Sequence, residues 1–384
     1  MQQTAAAALG QHRSTAPASR KEMLLAGLRA QSIFAALIGV YALCYYLIIR
    51  SHPHAMKSDV LEITGTFLMI SVPILIFSHI LMRFDHMVRF VRPKHPSLWL
   101  VKDAWAYFSD ARRLALGLPM VVLLNFFIAI FTDTKINIPR IAPFSWDATF
   151  AEWDRIAHFG KHPWEWLQPA LGYWPVTYFI NFSYNFWFLV MWMVWMHFAF
   201  ATQTTVLRTR FFLSFLLSWA IGGSLLAVVF SSAGPCYYGL LGLGPDPYIE
   251  LMSYLREVNG ILPLMALGIQ DSLWSFYIHE ISLGGISAMP SMHNAASLIF
   301  ALAGWQIGRR LGILLSIHCG LVYIGSVHLG WHYAIDAYAG WAIALPIWWL
   351  CKPAAEWWEG RPASVRLGKL LAAVPAAISG PRAS

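Results

Sequence analysis

The chain has 384 residues, of which 58% are hydrophobic and only 12% charged, and its formal net charge is +8. This composition excludes a water-soluble globular protein, because an interior of this size cannot hide so much apolar surface; lipid must be part of the solvent. The positive balance does not indicate nucleic acid, since the basic residues flank apolar runs instead of forming a patch.

Residues 1–30 are rich in Ala, Ser and Gln, with four basic residues and one acid. They read as a disordered cytoplasmic tail, with a mitochondrial transit peptide as the alternative. Eight apolar runs follow, at about 32–49, 61–82, 114–131, 176–200, 211–230, 294–307, 311–327 and 333–351. The expected fold is therefore all-α. It is a polytopic transmembrane helix bundle in which residues 31–110 supply two N-terminal spans and a cytoplasmic loop, 111–351 the core, and 352–384 a cytoplasmic tail. With the N-terminus inside, 20 of the 27 Lys and Arg fall on the inner side. That excess predicts an even number of spans with both ends in the cytoplasm.

Two long segments then face outward. In 132–175, the run "WDATFAEWDRIAHFGKHPWEW" places Trp146, Phe150, Trp153 and Ala157 at helical spacing with charges between them. It reads as an amphipathic helix on the outer leaflet. In 231–292, the 13-residue apolar run 258–270 is too short to span and reads as re-entrant or interfacial. The 19 tryptophans suit interfacial belts. Cys44, Cys236, Cys319 and Cys351 have no metal or disulfide spacing and read as structural.

Polar chemistry gathers at two places beside these spans. "GGISAMPSMHNA" (284–295) puts Pro290, Ser291 and His293 where the sixth span begins. Pro suits the first helical position, and Ser291 could cap the helix or bind an oxygen, so the stretch reads as a helix-terminus anion site with a histidine in its first turn. "GSVHLGWHYAIDAYAG" (325–340) places His328, His332 and Asp336 at i, i+4, i+8, one stripe if the segment is helical. The two-arginine turn Arg309–Arg310 makes the sixth and seventh spans neighbours, which predicts that His293, His332 and Asp336 meet at the outer water boundary. A carboxylate beside a histidine fixes its tautomer and raises the basicity of the other nitrogen, which can attack phosphorus or take a proton. A second histidine can protonate the leaving oxygen. A zinc or iron site built from His328, His332, Asp336 and His293 is a competing reading. A transporter with a proton relay is another, although no repeat symmetry supports it.

"AMPSMH" followed by "HLGWHYAID" resembles the second and third signatures of the type 2 phosphatidic acid phosphatase superfamily. The closer likeness is to its inositol phosphorylceramide synthase-like branch, where the third signature also reads His-Tyr-x-x-Asp and a Gly-Pro-x-Tyr element resembles "SAGPCYYG" (232–239). The resemblance implies a six-helix core, no cofactor and no metal. It implies His332 as nucleophile or base, Asp336 orienting it and His293 as general acid. Tyr333 and Tyr237, from the matched motifs, would be substrate-binding, as would Ser291 and His328. The superfamily's first signature, a Lys followed seven residues later by Arg-Pro, is absent, and its third-signature arginine is Ser326 here. The charge on a transferring phosphate must still be offset. Lys135, Arg140, Arg155, Lys161 and Arg256 are the outer candidates, with Arg140 preferred because it follows the third span closely. The expected function is a lipid phosphotransferase or phosphatase working outside an inner membrane. Membrane lipids are its partners, and phosphoinositol transfer to a ceramide-like hydroxyl is the leading case. Hydrolysis of phosphatidic acid or a polyprenyl phosphate is the alternative.

Overall fold

The computed structural model describes residues 20–56 and 58–372, and among them the regular structure is helical throughout. The first five helices are α1 (Arg20–Ala30), α2 (Ser32–Ser51), α3 (Val60–His86), α4 (Pro96–Ser109) and α5 (Ala111–Ile141). Then come α6 (Asp147–Ala157), α7 (Pro163–Leu171), α8 (Trp174–Asn185), α9 (Trp187–Ala199), α10 (Val206–Ala220) and α11 (Ala227–Val229). The chain closes with α12 (Ile249–Ile261), α13 (Met265–Ile278), α14 (Met292–Ile307), α15 (Arg309–His328), α16 (Ala334–Gly360) and α17 (Pro362–Ala372).

Seven segments are long and apolar enough to cross a membrane: α2, α3 with its π-helical end, α5, α8–α9 as one run, α10–α11 as one run, α15 and α16. They correspond to seven of the eight expected spans. The remaining one is α14, only 16 residues long and with no residue exposed on its first three turns. It turns at Gly308 straight into α15, so the two form a hairpin. The run 258–270 is divided between α12 and α13, which meet at a 117° bend, giving a broken span or re-entrant loop.

Burial separates centre from rim. In α5 and α10–α11, 61% of the apolar window is buried, against 17% in α3 and 22% in α2. The central helices pack through Phe127, Phe131, Phe211, Phe215 and Phe300, while the exposed faces of α2 and α3 carry Leu43, Leu47, Met69 and Phe77, as lipid-facing surfaces do.

The ends differ from a simple pair of tails. Residues 1–19 and 373–384 lie outside the described residues. Arg20–Ala30 is helical and lies against α5 so closely that a Cβ on Gly27 would sit 2.0 Å from the Ala115 carbonyl oxygen. At the other end α16 runs on to Gly360, and Leu367 and Leu371 of α17 bury against Leu116 with Ala26 and Ala30.

Candidate active site

One end of the bundle gathers the C-terminal ends of α5, α10–α11 and α15 with the N-terminal ends of α14 and α16. Three connecting segments are tied together there by backbone hydrogen bonds. Ala288 N–H donates to Ser232 O (2.9 Å), Cys236 N–H to Gly330 O (2.9 Å), and Ser291 N–H to Asp336 O (2.9 Å). The stretches expected to carry chemistry are thus one layer.

His332 and Asp336 are not on a common helix. α15 ends at His328, Gly330 takes φ +72°, and α16 begins at Ala334 with Tyr333 as its N-cap. The expected stripe of three is broken by this turn. His328 stays inside the bundle, its Nε2 2.9 Å from Thr177 Oγ1, and does not line the cavity described below. Asp336, the third residue of α16, accepts from Tyr333 N–H (3.1 Å) and lies 3.3 Å from His332 Nδ1 through the same Oδ2. One carboxylate oxygen therefore starts the helix and orients the histidine. Burial, with the nearby charge of Lys135 as the smaller cause, pushes the His332 imidazole down to about 3, so it is neutral at working pH; a hydrogen bond with the Ala288 backbone opposes the shift.

His293, in the first turn of α14, faces His332 with ring centroids 6.3 Å apart. Trp187 and Tyr184 hold it from the other side, with centroids at 4.4 and 5.2 Å. Pro290 precedes the N-cap instead of opening the helix, and Ser291 is the N-cap without a side-chain cap bond. Ser291 Oγ instead accepts from Asn294 Nδ2 (3.0 Å), which also donates to Ser326 Oγ (2.8 Å), so Ser326 is a buried link between α14 and α15.

The two imidazoles open onto a cavity of about 470 Å³ that runs between α3, α5, α9 and α10. Its walls are mostly apolar and aromatic, and among the described lining residues there is no Asp or Glu. Lys135 is the one Lys or Arg among the described lining residues. Lys135 lies on a stripe of α5 with Asn125, Ile128, Phe131 and Thr132, all of which line the cavity. A Cβ on Gly285 would sit 2.4 Å from the Lys135 backbone, so the 284–287 segment is laid directly on this lysine.

The other expected binding residues lie elsewhere. Arg140 turns back onto its own helix, donating to Ile136 O (2.8 Å), because five residues carry it about 140° around α5 from Lys135. Tyr333 OH donates to Asp147 Oδ1 (2.9 Å) behind the histidine. Tyr237 lines the cavity, but its hydroxyl is spent on Gln270 O (3.1 Å). Arg155 pairs with Glu152 and Arg256 with Asp271 on exposed surface. Among the described residues no group of three or more His, Cys, Asp or Glu is placed to share a metal ion.

The expected outer amphipathic helix is α6, with its faces assigned differently. Asp147, Phe150, Ala151 and Asp154 are buried, whereas Trp153 and Ile156 are exposed. Asp147 and Asp154 point inward, where backbone donors await them, beside Phe150 and Ala151, while Trp153 and Ile156 face out with Glu152.

Compared with known proteins, the chain matches no curated protein and no solved structure. A family model described as the PAP2 superfamily does match, over residues 148–350, which spans more than half of the chain and both histidine segments. The chain belongs to the PAP2 superfamily.

Proposed function

We propose that this protein is an integral-membrane phosphotransferase that takes the phospho-head group of a lipid phosphodiester and passes it to a lipid hydroxyl at the extracytoplasmic face. The observation that carries this reading is the charge inventory of the cavity. Among its described lining residues it offers one fixed cation, Lys135, beside His293 and His332 and no carboxylate, at the head of an apolar chamber. Charge brought into such a site must be matched. A phosphodiester carries a single negative charge, whereas a phosphate monoester carries about −1.5 to −2 at neutral pH. Lys135 and a protonated His293, less the Asp336 carboxylate behind His332, balance the first and leave the second under-compensated. The chamber accepts the alkyl part of the same molecule.

In this reading the His332 Nε2, with Nδ1 turned to Asp336, attacks phosphorus. His293, protonated at the start of the cycle and across the 6.3 Å gap between ring centroids, gives its extra proton to the departing lipid oxygen and is left neutral. An acceptor hydroxyl then takes the phosphoryl head group from His332, with His293 now removing its proton. Each proton-transfer role contributes typically about 10²–10⁴ in rate. The likeness of the motifs to the inositol phosphorylceramide synthase-like branch supports phosphoinositol as the group moved and a ceramide-like alcohol as acceptor. The Lys and Arg distribution supports an outward-facing site, and a bacterial inner membrane is the proposed location.

The test is a purified-protein assay in liposomes. Head-group-labelled phosphatidylinositol and labelled phosphatidic acid are supplied separately, each with and without a ceramide acceptor. The expected result is label from the diester in a new lipid only when acceptor is present, with phosphatidic acid left intact. Faster phosphate release from phosphatidic acid than any turnover of the diester would replace this reading with a phosphatase.

A further inference from the structure

The buried face of α6 reaches the catalytic segment at two points. Asp147 and Asp154 are seven residues apart, two helical turns, and so lie on one face. Asp147 accepts from Ala233 N–H (2.9 Å to Oδ2), Gly234 N–H (2.8 Å) and Tyr333 OH (2.9 Å). Asp154 accepts from Ala334 N–H (3.0 Å) and Ile335 N–H (3.1 Å). Residues 333, 334 and 335 are the three that separate His332 from Asp336. Every one of them is held by a carboxylate from α6.

Among the described residues neither acid is paired with a Lys or Arg, and Asp154 has only His158 at 3.6 Å. Two carboxylates that are 1% and 2% exposed and lack a full countercharge are expensive to keep. Backbone N–H groups and the positive end of the α16 dipole offset that cost in part. Burial still holds both carboxyls above the usual carboxylate range. A helix start can be capped more cheaply by a single Ser or Asp of its own. The arrangement also divides labour. With the Ala334 and Ile335 N–H groups satisfied from outside, Asp336 is left to serve Tyr333 N–H and His332. The turn that Asp147 holds is equally confined: Gly234 has φ +105°, and a Cβ there would meet Trp331 O at 2.7 Å.

We propose that Asp147 and Asp154 are positioning residues for the reaction, clamping residues 333–335 so that Asp336 stays turned to His332; this rests on the phosphotransfer function proposed above. The acids touch no substrate. They set the geometry of the pair that does.

The experiment compares wild type, His332→Ala, Asp154→Asn, Tyr333→Phe, Asp336→Asn and the Asp154→Asn/Asp336→Asn double variant in liposomes carrying phosphatidylinositol and ceramide. Asp154→Asn keeps the shape and loses the charge and one acceptor. It should lower kcat about 10–100-fold, the range for residues that orient a reacting group, with KM within about twofold of wild type. Tyr333→Phe removes only the hydroxyl that Asp147 accepts, and should lower kcat several-fold with KM likewise unchanged. Placed in an Asp336→Asn background, Asp154→Asn should cost much less than it does alone, because it acts through that carboxylate. If Asp154→Asn fails to fold, Tyr333→Phe decides. Folded variants with wild-type kcat overturn the proposal, and so does an Asp154→Asn loss of equal size in both backgrounds. A wild type without lipid turnover would instead remove the underlying function, and an inactive His332→Ala beside fully active clamp variants would remove the clamp alone.

Discussion

At the scale of single residues, the proposed chemistry depends on which cation can reach a phosphate; Lys135 lines the cavity, and Arg140, which sequence proximity favoured, does not. Arg140 stands out in "NIPRIAPF" as the polar residue after a span, but α5 continues to Ile141, well beyond 131. Once the helix is extended, Lys135 falls on the same stripe as Asn125, Ile128, Phe131 and Thr132, at offsets of 10, 7, 4 and 3 residues, and Arg140 falls on another. That stripe was present in the sequence. The polar run Thr132, Asp133, Thr134 and Lys135 obscured it by ending the apolar stretch at 131, although the helix continues to Ile141. Lys135→Met is therefore expected to lower turnover of a phosphodiester lipid by about 10²–10³, the loss typical of one preorganised donor at a developing oxyanion. Arg140→Met should lower it by less than about twofold, and steady-state rates of the two variants check the ranking. His293, His332 and Asp336 were legible because the motif spacing and the short 308–310 turn leave few ways to separate them. The broken stripe at His328 was not legible, since only the turn at Gly330 shows that the helix ends there.

At the scale of elements, α6 was readable as an amphipathic helix but not in its orientation. Its periodicity put Trp153 and Ala157 on an outer apolar face, where they are, but did not show that Phe150 turns inward beside Asp147 and Asp154. In a soluble protein Trp153 and Ile156 would be core and Asp154 surface. At a membrane boundary the outside is apolar, and the buried face is chosen by backbone donors at 233–234 and 334–335. The packing of α16 on the start of α14 is a sharper case of shape. A Cβ on Gly340 would lie 2.5 Å from Ser291 O, a backbone atom that cannot swing aside. Gly340→Ala is expected to destabilise the protein by about 1–3 kcal/mol, typical of overpacking, and to lower activity by displacing the His293 turn. Gly320→Ala, on α15 with no atom within 4 Å of the added Cβ, should leave the melting midpoint equal or slightly higher. Thermal unfolding of the two variants in detergent separates local fit from a general effect of losing glycine.

At the scale of the whole molecule, the bundle places a histidine-bearing layer at one end and a mostly apolar chamber beneath it. α5 and α10 form the buried centre, α2 and α3 the lipid-facing rim, and the α14–α15 hairpin brings its two histidine-bearing ends to that layer. Composition and apolar runs were enough to expect a polytopic helical bundle, and membership of the PAP2 superfamily agrees with the signatures that carried the resemblance. Composition could not show that residues 258–270 bend, because Leu262, Pro263 and Leu264 are apolar while breaking the helix. The central claim is that His332 performs the chemistry on a lipid phosphodiester. The most direct measurement is single-turnover transfer of head-group label in liposomes by wild type and by His332→Ala, with lipid binding followed in the same samples. The account predicts that His332→Ala binds the phosphodiester lipid as wild type does and transfers no label. Transfer by the variant at a rate within tenfold of wild type would contradict it.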